Sequence, residues 1–439
     1  MLDINFIKEN KEAVKDAAKK KNITIDIDLL LRIDKERREL QKQSDELRAE
    51  RNELAKSSGQ SRPSAEQIER GKILKTKIAE TENSLTEINV KYFELMVKVP
   101  TIPSGDTPIG KDDSGNIEIF KWGSIPKFDF KPKSHVELAH DLDLFDLERG
   151  AKTAGYRGYY VKNEAVSLQM ALMLFALEKL IARGYSPMIP PTLVREFALF
   201  GSGYFSGKKY DPEVDEIYKI ANEEVESDGK KNKEDKFLIG TAEPSLLAYY
   251  ANEVLEEKQL PIRMCGFSQC YRSEIGSYGK DTKGLYRVHE FMKVEQVCIC
   301  RADIEESNQL HLEMLEISKE LHRDLGLPFR VLSICTGDMS AGKYKMFDLE
   351  AWMPSRNSYG ETGSASNFLD WQSRRLNVKY RTKDNENKFV YMLNDTALPS
   401  IRPMIAILEN FQQSDGSILI PEVLRKFMPG NMSLIKPKK

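Results

Sequence analysis

The residues best suited to chemistry cluster in one stretch, CYRSEIGSYGKDTKGLYRVHEF at 270–291. It opens on Arg272, Ser273 and Glu274, passes three glycines amid Ser, Lys, Asp and Thr, and closes on Arg287, His289 and Phe291 at alternate positions. Side chains alternate between the faces of a β-strand. If both flanks are paired strands, Cys270, Arg272 and Glu274 share one face, and Arg287, His289, Phe291, Lys293 and Glu295 share one face of the return strand. The reverse face shows Tyr286, Val288, Met292 and Val294, broken only by Glu290. One side packs; the other presents guanidinium groups, carboxylates and a ring. Arginine grips phosphate oxygens through paired hydrogen bonds. A ring and a guanidinium plane can hold a base between them, and nearby acids can hold Mg²⁺ or an amine. The pattern suits a nucleoside triphosphate, with a Gly/Ser/Lys tip that could close over substrates. The bland alternative is a charged edge hairpin in water. Neither a Walker loop nor a GxGxxG turn is present.

Two further clusters carry polar chemistry. ETGSASNF (361–368) follows the strand-like run KMFDLEAWMP, in which Asp348, Glu350 and Trp352 alternate on one face. NDTALPSIR (394–402) runs into the apolar helix PMIAILENF. An arginine in the first turn of a buried helix needs an anionic partner, either a protein carboxylate or a phosphate.

These segments need elements to position them. A domain starting near Ser134 opens with helices, and Ala165–Ile181 is apolar nearly all round, which predicts burial. RGYSPMIPPTLV then turns into a strand that Pro190-Pro191 keeps out of mid-sheet. Short strand-like runs follow: KFLIGT, PIRMCGFSQCYRSE, GLYRVHEFMKVEQVCIC, PFRVLSI, KMFDLEAWMP and KFVYMLN. Helices are predicted at Pro244–Glu256, Ile304–Leu325 and Ser400–Phe411. Neighbouring strands without obligatory crossover helices predict an α+β domain built on an antiparallel sheet flanked by helices. The charge-dense segment 207–236 reads in part as an inserted surface loop.

Residues 1–25 read as a short helix and a turn. From about 28 to 57, Ile33, Leu40, Leu47 and Leu54 recur every seven residues; from about 65 to 98, Ile78, Leu85 and Tyr92 form one such row and Leu74, Thr81, Ile88 and Leu95 another. Two heptad runs joined by SSGQSRPS predict an antiparallel coiled-coil hairpin projecting as an arm. Its first helix places Arg37, Ser44 and Arg51 where a second apolar row would run, so the seam is half polar. Prolines and glycines in 100–133 mark a linker, with one possible strand at Ile117–Trp122.

The chain has 439 residues, net charge −2, 31% charged and 40% hydrophobic residues, the balance of a soluble globular protein without a global basic field. No apolar run approaches the length of a membrane helix, no secretory leader is visible, and five cysteines suggest no disulfide framework. A cytoplasmic location and no membrane partner follow as expectations. Cys298 and Cys300 lack a second pair at zinc-finger spacing and read as small buried apolar residues.

Nearly the whole chain resembles the seryl-tRNA synthetases, within the class II aminoacyl-tRNA synthetases. RGYSPMIPPTLV (183–194) resembles motif 1, with Pro191 at the family's proline; 267–295 contains the motif 2 form Arg-x-Glu, loop, Arg-x-x-x-Phe; LPSIRPMIAILENFQ within 394–412 resembles motif 3; and TAE at 241–243 resembles the serine-binding Thr-x-Glu segment. The resemblance implies a tRNA-binding helical arm over 1–99, a linker over 100–133 and a class II catalytic domain over 134–439. It implies ATP and Mg²⁺ as cofactors, L-serine and tRNA(Ser) as substrates, with selenocysteine tRNA as a further candidate, and a homodimer. Residue by residue, Arg272 would grip the α-phosphate and Arg402 the γ-phosphate. Phe291 and Arg402 would sandwich adenine. Ser273, Glu274, Val288, Thr362 and Gly363 would complete the ATP site, and Glu361 and Ser364 would hold Mg²⁺ and ATP. Thr241, Ala242, Glu243, Arg272, Glu295, Asn394 and Thr396 would form the serine pocket.

The chain departs from the family at Asp395-Thr396, where Gly-Ser is common, and at Lys280 and Lys283 in the motif 2 tip, where arginine is frequent. The main alternative is an amino-acid-activating ligase that loads a carrier protein; such relatives lack the long arm. A non-catalytic RNA-binding paralogue and a different amino-acid specificity are the others.

Overall fold

A computed structural model describes residues 1–57, 64–205, 207, 209–221, 224–225, 229, 231–232, 234–275 and 284–438. Residues 1–100 and 101–439 form two compact units. The first opens with two short helices, Ile4–Glu9 and Lys11–Lys20, rather than the single expected one; Asn10 both ends the first and starts the second. Two long helices follow, α1 (Ile27–Ser57) and α2 (Ala65–Met96), the second opened by a Ser64/Gln67 capping box. They pack along their length as the heptads predict. Ile33, Leu74, Ile78 and Ile88 are buried and Leu40, Leu47 and Leu54 half-buried. The polar seam is resolved by stacking and burial: Arg37 lies 4.5 Å over the Tyr92 ring and Ser44 is buried, while Arg51 faces water. Most of the turn expected at 57–64 lies outside the described residues.

The second unit is built on eight strands: β1 (Ile117–Trp122), β2 (Ser186–Met188), β3 (Ile262–Tyr271), β4 (Glu290–Cys300), β5 (Phe329–Ser333), β6 (Lys345–Met353), β7 (Ser358–Asn367) and β8 (Tyr391–Pro399). Their order is β1-β5-β6-β7-β8-β4-β3-β2, antiparallel except for the β3–β2 edge pair. The strand foreseen at 117–122 forms one edge, and the proline-rich strand after RGY forms the other. Helices α3 (Asn163–Ala182), α5 (Ile304–Asp324) and α6 (Ile401–Asn410) pack on the sheet and form the main core with it. Between α3 and α5 in sequence, a short helix α4 (Glu243–Ala248) closes on β3.

Two expectations are corrected, those for 244–256 and for the burial of α3. The predicted helix 244–256 is only α4, and Val254–Glu256 is a strand of a small separate sheet. ETGSASNF follows β6 as expected and, up to Asn367, belongs to β7. Helix α3 is buried on one side only: Val166, Met170, Leu174 and Ile181 are 47%, 36%, 44% and 51% exposed along one stripe. At 20 residues it is also long and apolar enough to cross a membrane by length and composition, although its other face, including Leu168, Leu172 and Met173, lies in the core. The stretch 207–236 is largely exposed where it is described, with Asp215 and Ile217 buried, and parts of it lie outside the described residues.

Candidate active site

The site lies on the sheet face opposite α5, and strand register decides which side chains reach it. In β4 and β8, Glu295 pairs with Thr396 and Gln296 with Asp395. Alternation then separates two groups. Gln296 and Asp395 face α5, where the Asp395 carboxylate accepts from Gln296 Nε2 at 3.0 Å and Ser318 Oγ at 2.7 Å. Lys293, Glu295, Asn394 and Thr396 face the site. Lys293 Nζ lies 2.7 Å from Glu295 Oε2 and 3.2 Å from Thr396 Oγ1, and Thr396 Oγ1 donates to Glu295 Oε2 at 3.2 Å. The larger, charged pair Asp395-Thr396 is therefore accommodated with the Asp395 carboxylate turned away from these groups.

Helix α4 adds Glu243 from the other side. Its Oε1 accepts from Gln372 Nε2 at 2.6 Å and Asn394 Nδ2 at 2.8 Å. Thr241 and Ala242, just before it, are fully buried. The approach needs Gly266 on β3, since a Cβ there would lie 2.7 Å from the Ala242 Cβ. Burial, reinforced by Glu295, pushes the Glu243 carboxyl up to about 7.

Glu361 and Ser364 are three residues apart, so a regular strand would point them to opposite faces. A β-bulge at Thr362 prevents this: Ser364 pairs with Asp348 and Glu361 with Glu350, which puts all four on one face. Thr362 itself turns inward, with its hydroxyl 2.8 Å from His322 Nε2. Arg402 donates from one guanidinium nitrogen to the Glu361 carbonyl at 2.9 Å and carboxylate at 3.1 Å. Desolvation pulls the Glu361 carboxyl up, but Arg402 and Arg272 outweigh it and leave it below its ordinary value. Burial, then the neighbouring Glu361, pushes Asp348 well above its own.

Above this floor is an open pocket of about 520 Å³. Among the residues named from the sequence, Arg272, Glu274, Val288, Phe291, Glu361, Thr362, Gly363, Thr396 and Arg402 line it. Ser273 and Ser364 do not, and Thr241, Ala242, Glu243, Glu295 and Asn394 lie in the adjoining buried cluster. The hairpin pairing is as predicted, with Cys270 opposite Phe291, but its strands are shorter. The first ends at Tyr271 and the second starts at Glu290, so the expected face alternation fails beyond them. Glu274 has a left-handed backbone (φ +55°), and Tyr286, Arg287 and Val288 all line the pocket. Glu274 is held by Arg287 at 2.6 Å. Arg272 lies 5.5 Å over the Phe291 ring, and Arg402 lies 4.5 Å over Tyr286. The motif 2 tip with Lys280 and Lys283 lies outside the described residues.

Sequence reasoning left several neighbours without a role. Lys293 was legible from its alternation with Glu295. Strand alternation places Tyr286 on the packing face, whereas it lines the pocket. Gln372 and Tyr204, which lies close enough to Glu243 and Arg272 to feel both charges, arrive from distant segments with no local signal. Cys298 and Cys300 are wholly buried in the core, and burial pushes the Cys298 thiol up to about 12.

Residues 218–411 match the family model described as tRNA synthetase class II core domain (G, H, P, S and T), so this sheet and pocket define a class II tRNA-synthetase core. Residues 1–103 match the model for the seryl-tRNA synthetase N-terminal domain, and a serine--tRNA ligase of Borrelia garinii subsp. bavariensis is 43% identical, covering 97% of this chain and 98% of its own. The chain belongs to the seryl-tRNA synthetase family. The serine--tRNA ligase of Treponema denticola is 42% identical over the same shares of the two chains. Two solved structures match in fold: seryl-tRNA synthetase from Pyrococcus horikoshii complexed with ATP, with TM-score 0.86, 37% identity and full coverage of both chains, and cytoplasmic serine-tRNA ligase from Naegleria fowleri in complex with AMP, with TM-score 0.84, 28% identity and coverage of 100% and 99%. The carrier-protein ligase is not favoured, because the helical hairpin has its own match within this family.

Proposed function

We propose that the protein activates L-serine with ATP to seryl-adenylate and transfers the seryl group to tRNA(Ser). One observation carries this reading: a pocket lined by Arg272, Arg402 and Phe291 adjoins a buried cluster holding Glu243, Glu295 and Asn394, and Lys293 and Thr396 belong to both. Guanidinium groups and a ring suit a nucleotide; buried carboxylates and an amide suit a small molecule with an ammonium and a hydroxyl.

In the first step a serine carboxylate oxygen attacks the α-phosphorus, the bond to the bridging oxygen breaks, and pyrophosphate leaves. The nucleophile is already ionised, so no general base is required. Arg272 neutralises charge at the α-phosphate, Arg402 binds the γ-phosphate and Phe291 stacks on adenine; positioning and charge neutralisation supply most of the acceleration. In the second step the terminal ribose hydroxyl of tRNA attacks the seryl carbonyl, and AMP leaves. The donor set fits Mg²⁺, which prefers hard oxygen ligands: Glu361 and Ser364 share a face with Asp348, whose buried Oδ1 has no hydrogen-bond partner among the described residues. Glu361 and Ser364 would hold the ion, which would supply charge neutralisation on the phosphates.

Specificity follows from Glu243, Glu295, Asn394 and Thr396 with Thr241. A site built to hydrogen-bond a hydroxyl rejects the analogue lacking it by roughly 10⁴-fold. The exposed apolar stripe of α3 supports a homodimer through that face. The hairpin α1–α2 supports recognition of tRNA. All five cysteines are free, which supports a reducing cytoplasm.

Serine-dependent ATP–pyrophosphate exchange, followed by charging of tRNA(Ser), tests the reading. Exchange with serine and then charging is expected; exchange with no charging of any tRNA would count against it.

A further inference from the structure

The chain returning from the motif 2 tip is tied to both ends of helix α6. At the start of the helix, Arg402 donates from Nε to the Tyr286 carbonyl at 3.2 Å while stacking on the same residue's ring. At its end, Glu409 is fully buried and reaches the same segment through a histidine. Glu409 Oε1 accepts from the His135 backbone N–H at 2.9 Å and lies 2.7 Å from His135 Nδ1. The Leu285 backbone N–H points at His135 Nε2, 3.2 Å away.

The proton positions follow from this geometry. A backbone amide can only donate, so Nε2 carries a lone pair and the proton sits on Nδ1. The imidazole is neutral, donates to Glu409 and accepts from Leu285. Ser355 supplies the remaining donors to Glu409, from its N–H at 2.9 Å and its hydroxyl at 2.7 Å. His135 and Leu285 are 7% and 1% exposed, so water does not substitute readily for either partner. Gly284, with φ +76°, runs so close that a Cβ there would meet His135 Nε2 at 2.2 Å.

We propose that His135 is a positioning residue for the nucleotide pocket: by accepting from Leu285 N–H it fixes Tyr286, and through Tyr286 the guanidinium of Arg402. The inference rests on the reading of that pocket as an ATP site. His135 itself does not line the pocket; its effect passes through one backbone hydrogen bond. Leaving a buried donor unpaired is costly, so loss of the acceptor should let the 284–286 segment shift.

Serine-dependent exchange by the unaltered chain comes first; its absence would overturn the ATP reading and this inference with it. With exchange established, two variants separate the roles of the ring nitrogens. His135→Asn keeps a donor near Nδ1 for Glu409 but loses the acceptor, whereas His135→Gln can place an oxygen near Nε2. His135→Asn is expected to raise the ATP KM about tenfold, with the serine KM within about twofold, and His135→Gln to stay within about threefold of the parent. Gly284→Ala, in a turn away from the buried Glu409 carboxylate, is expected to reproduce the ATP effect and decides the matter if His135→Asn fails to fold. Parental ATP kinetics in His135→Asn and Gly284→Ala, or equal rises in both KM values that merely track a lower melting temperature, would overturn the proposal while leaving the ATP reading standing.

Discussion

Lys293 Nζ lies 2.7 Å from Glu295 Oε2, with both residues more than nine-tenths buried where the open pocket meets the buried cluster. Removing one partner of a buried ion pair costs about 3–5 kcal/mol, because the other charge is left without compensation. Lys293→Met should therefore lower the melting temperature and raise the serine KM at least about a hundredfold, with a far smaller change for ATP. Adding Glu295→Met should restore much of the stability without restoring serine use. Thermal melts and exchange kinetics of the single and double variants check this; independent, additive losses would remove the coupling.

Glu295→Gln keeps the shape of the side chain but loses its charge. The serine requirement should rise much more than the ATP requirement, read as separate KM values in exchange. Equal effects on the two substrates would speak against a place in the serine pocket.

Glu243 gives a pH signature. Its carboxyl titrates near 7 when folded against 4.5 as the ordinary value. A carboxyl raised on folding holds its proton more tightly in the native state. Its contribution to stability is thus fully present below about pH 4.5 and is lost as pH rises through about 7. Serine binding needs the ionised form to meet the ammonium, so the serine KM should fall by up to about tenfold per pH unit below 7 and level off above it. Glu243→Gln should flatten both slopes. A serine KM in the parent that does not change between pH 5.5 and 8 would remove Glu243 from this role.

Arg272 stacks over Phe291 and donates from Nε to the Gly240 carbonyl at 3.2 Å. Arg272→Ala should reduce adenylate formation by about a thousandfold or more with the fold retained by circular dichroism. Normal exchange in that variant would refute its assigned role.

Deleting residues 29–97 removes most of α1 and α2, which belong to a compact unit distinct from the one that holds the pocket. Exchange should persist and charging of tRNA(Ser) should be lost. Retained charging would separate the hairpin from tRNA recognition.

Much of this was legible in the chain. Helices α1 and α2 announce themselves through residues seven apart, a purely local periodicity, and they end within two residues of the heptads that predict them. Arg272, Phe291, Glu361 and Arg402 were legible because polar chemistry stands out against apolar strands and because their motifs resemble a known family. The sequence determined composition, periodicity and the identity of the reactive groups, since each is written in neighbouring residues. Tertiary structure decided which groups meet. The bulge at Thr362 brings Glu361 round to Ser364, the late start of β4 frees Tyr286 and Val288 to line the pocket, and Gln372 reaches Glu243 across 129 positions. Strand register and sheet order are set by long-range pairing, where one inserted residue reverses every side chain beyond it, and no local pattern encodes that.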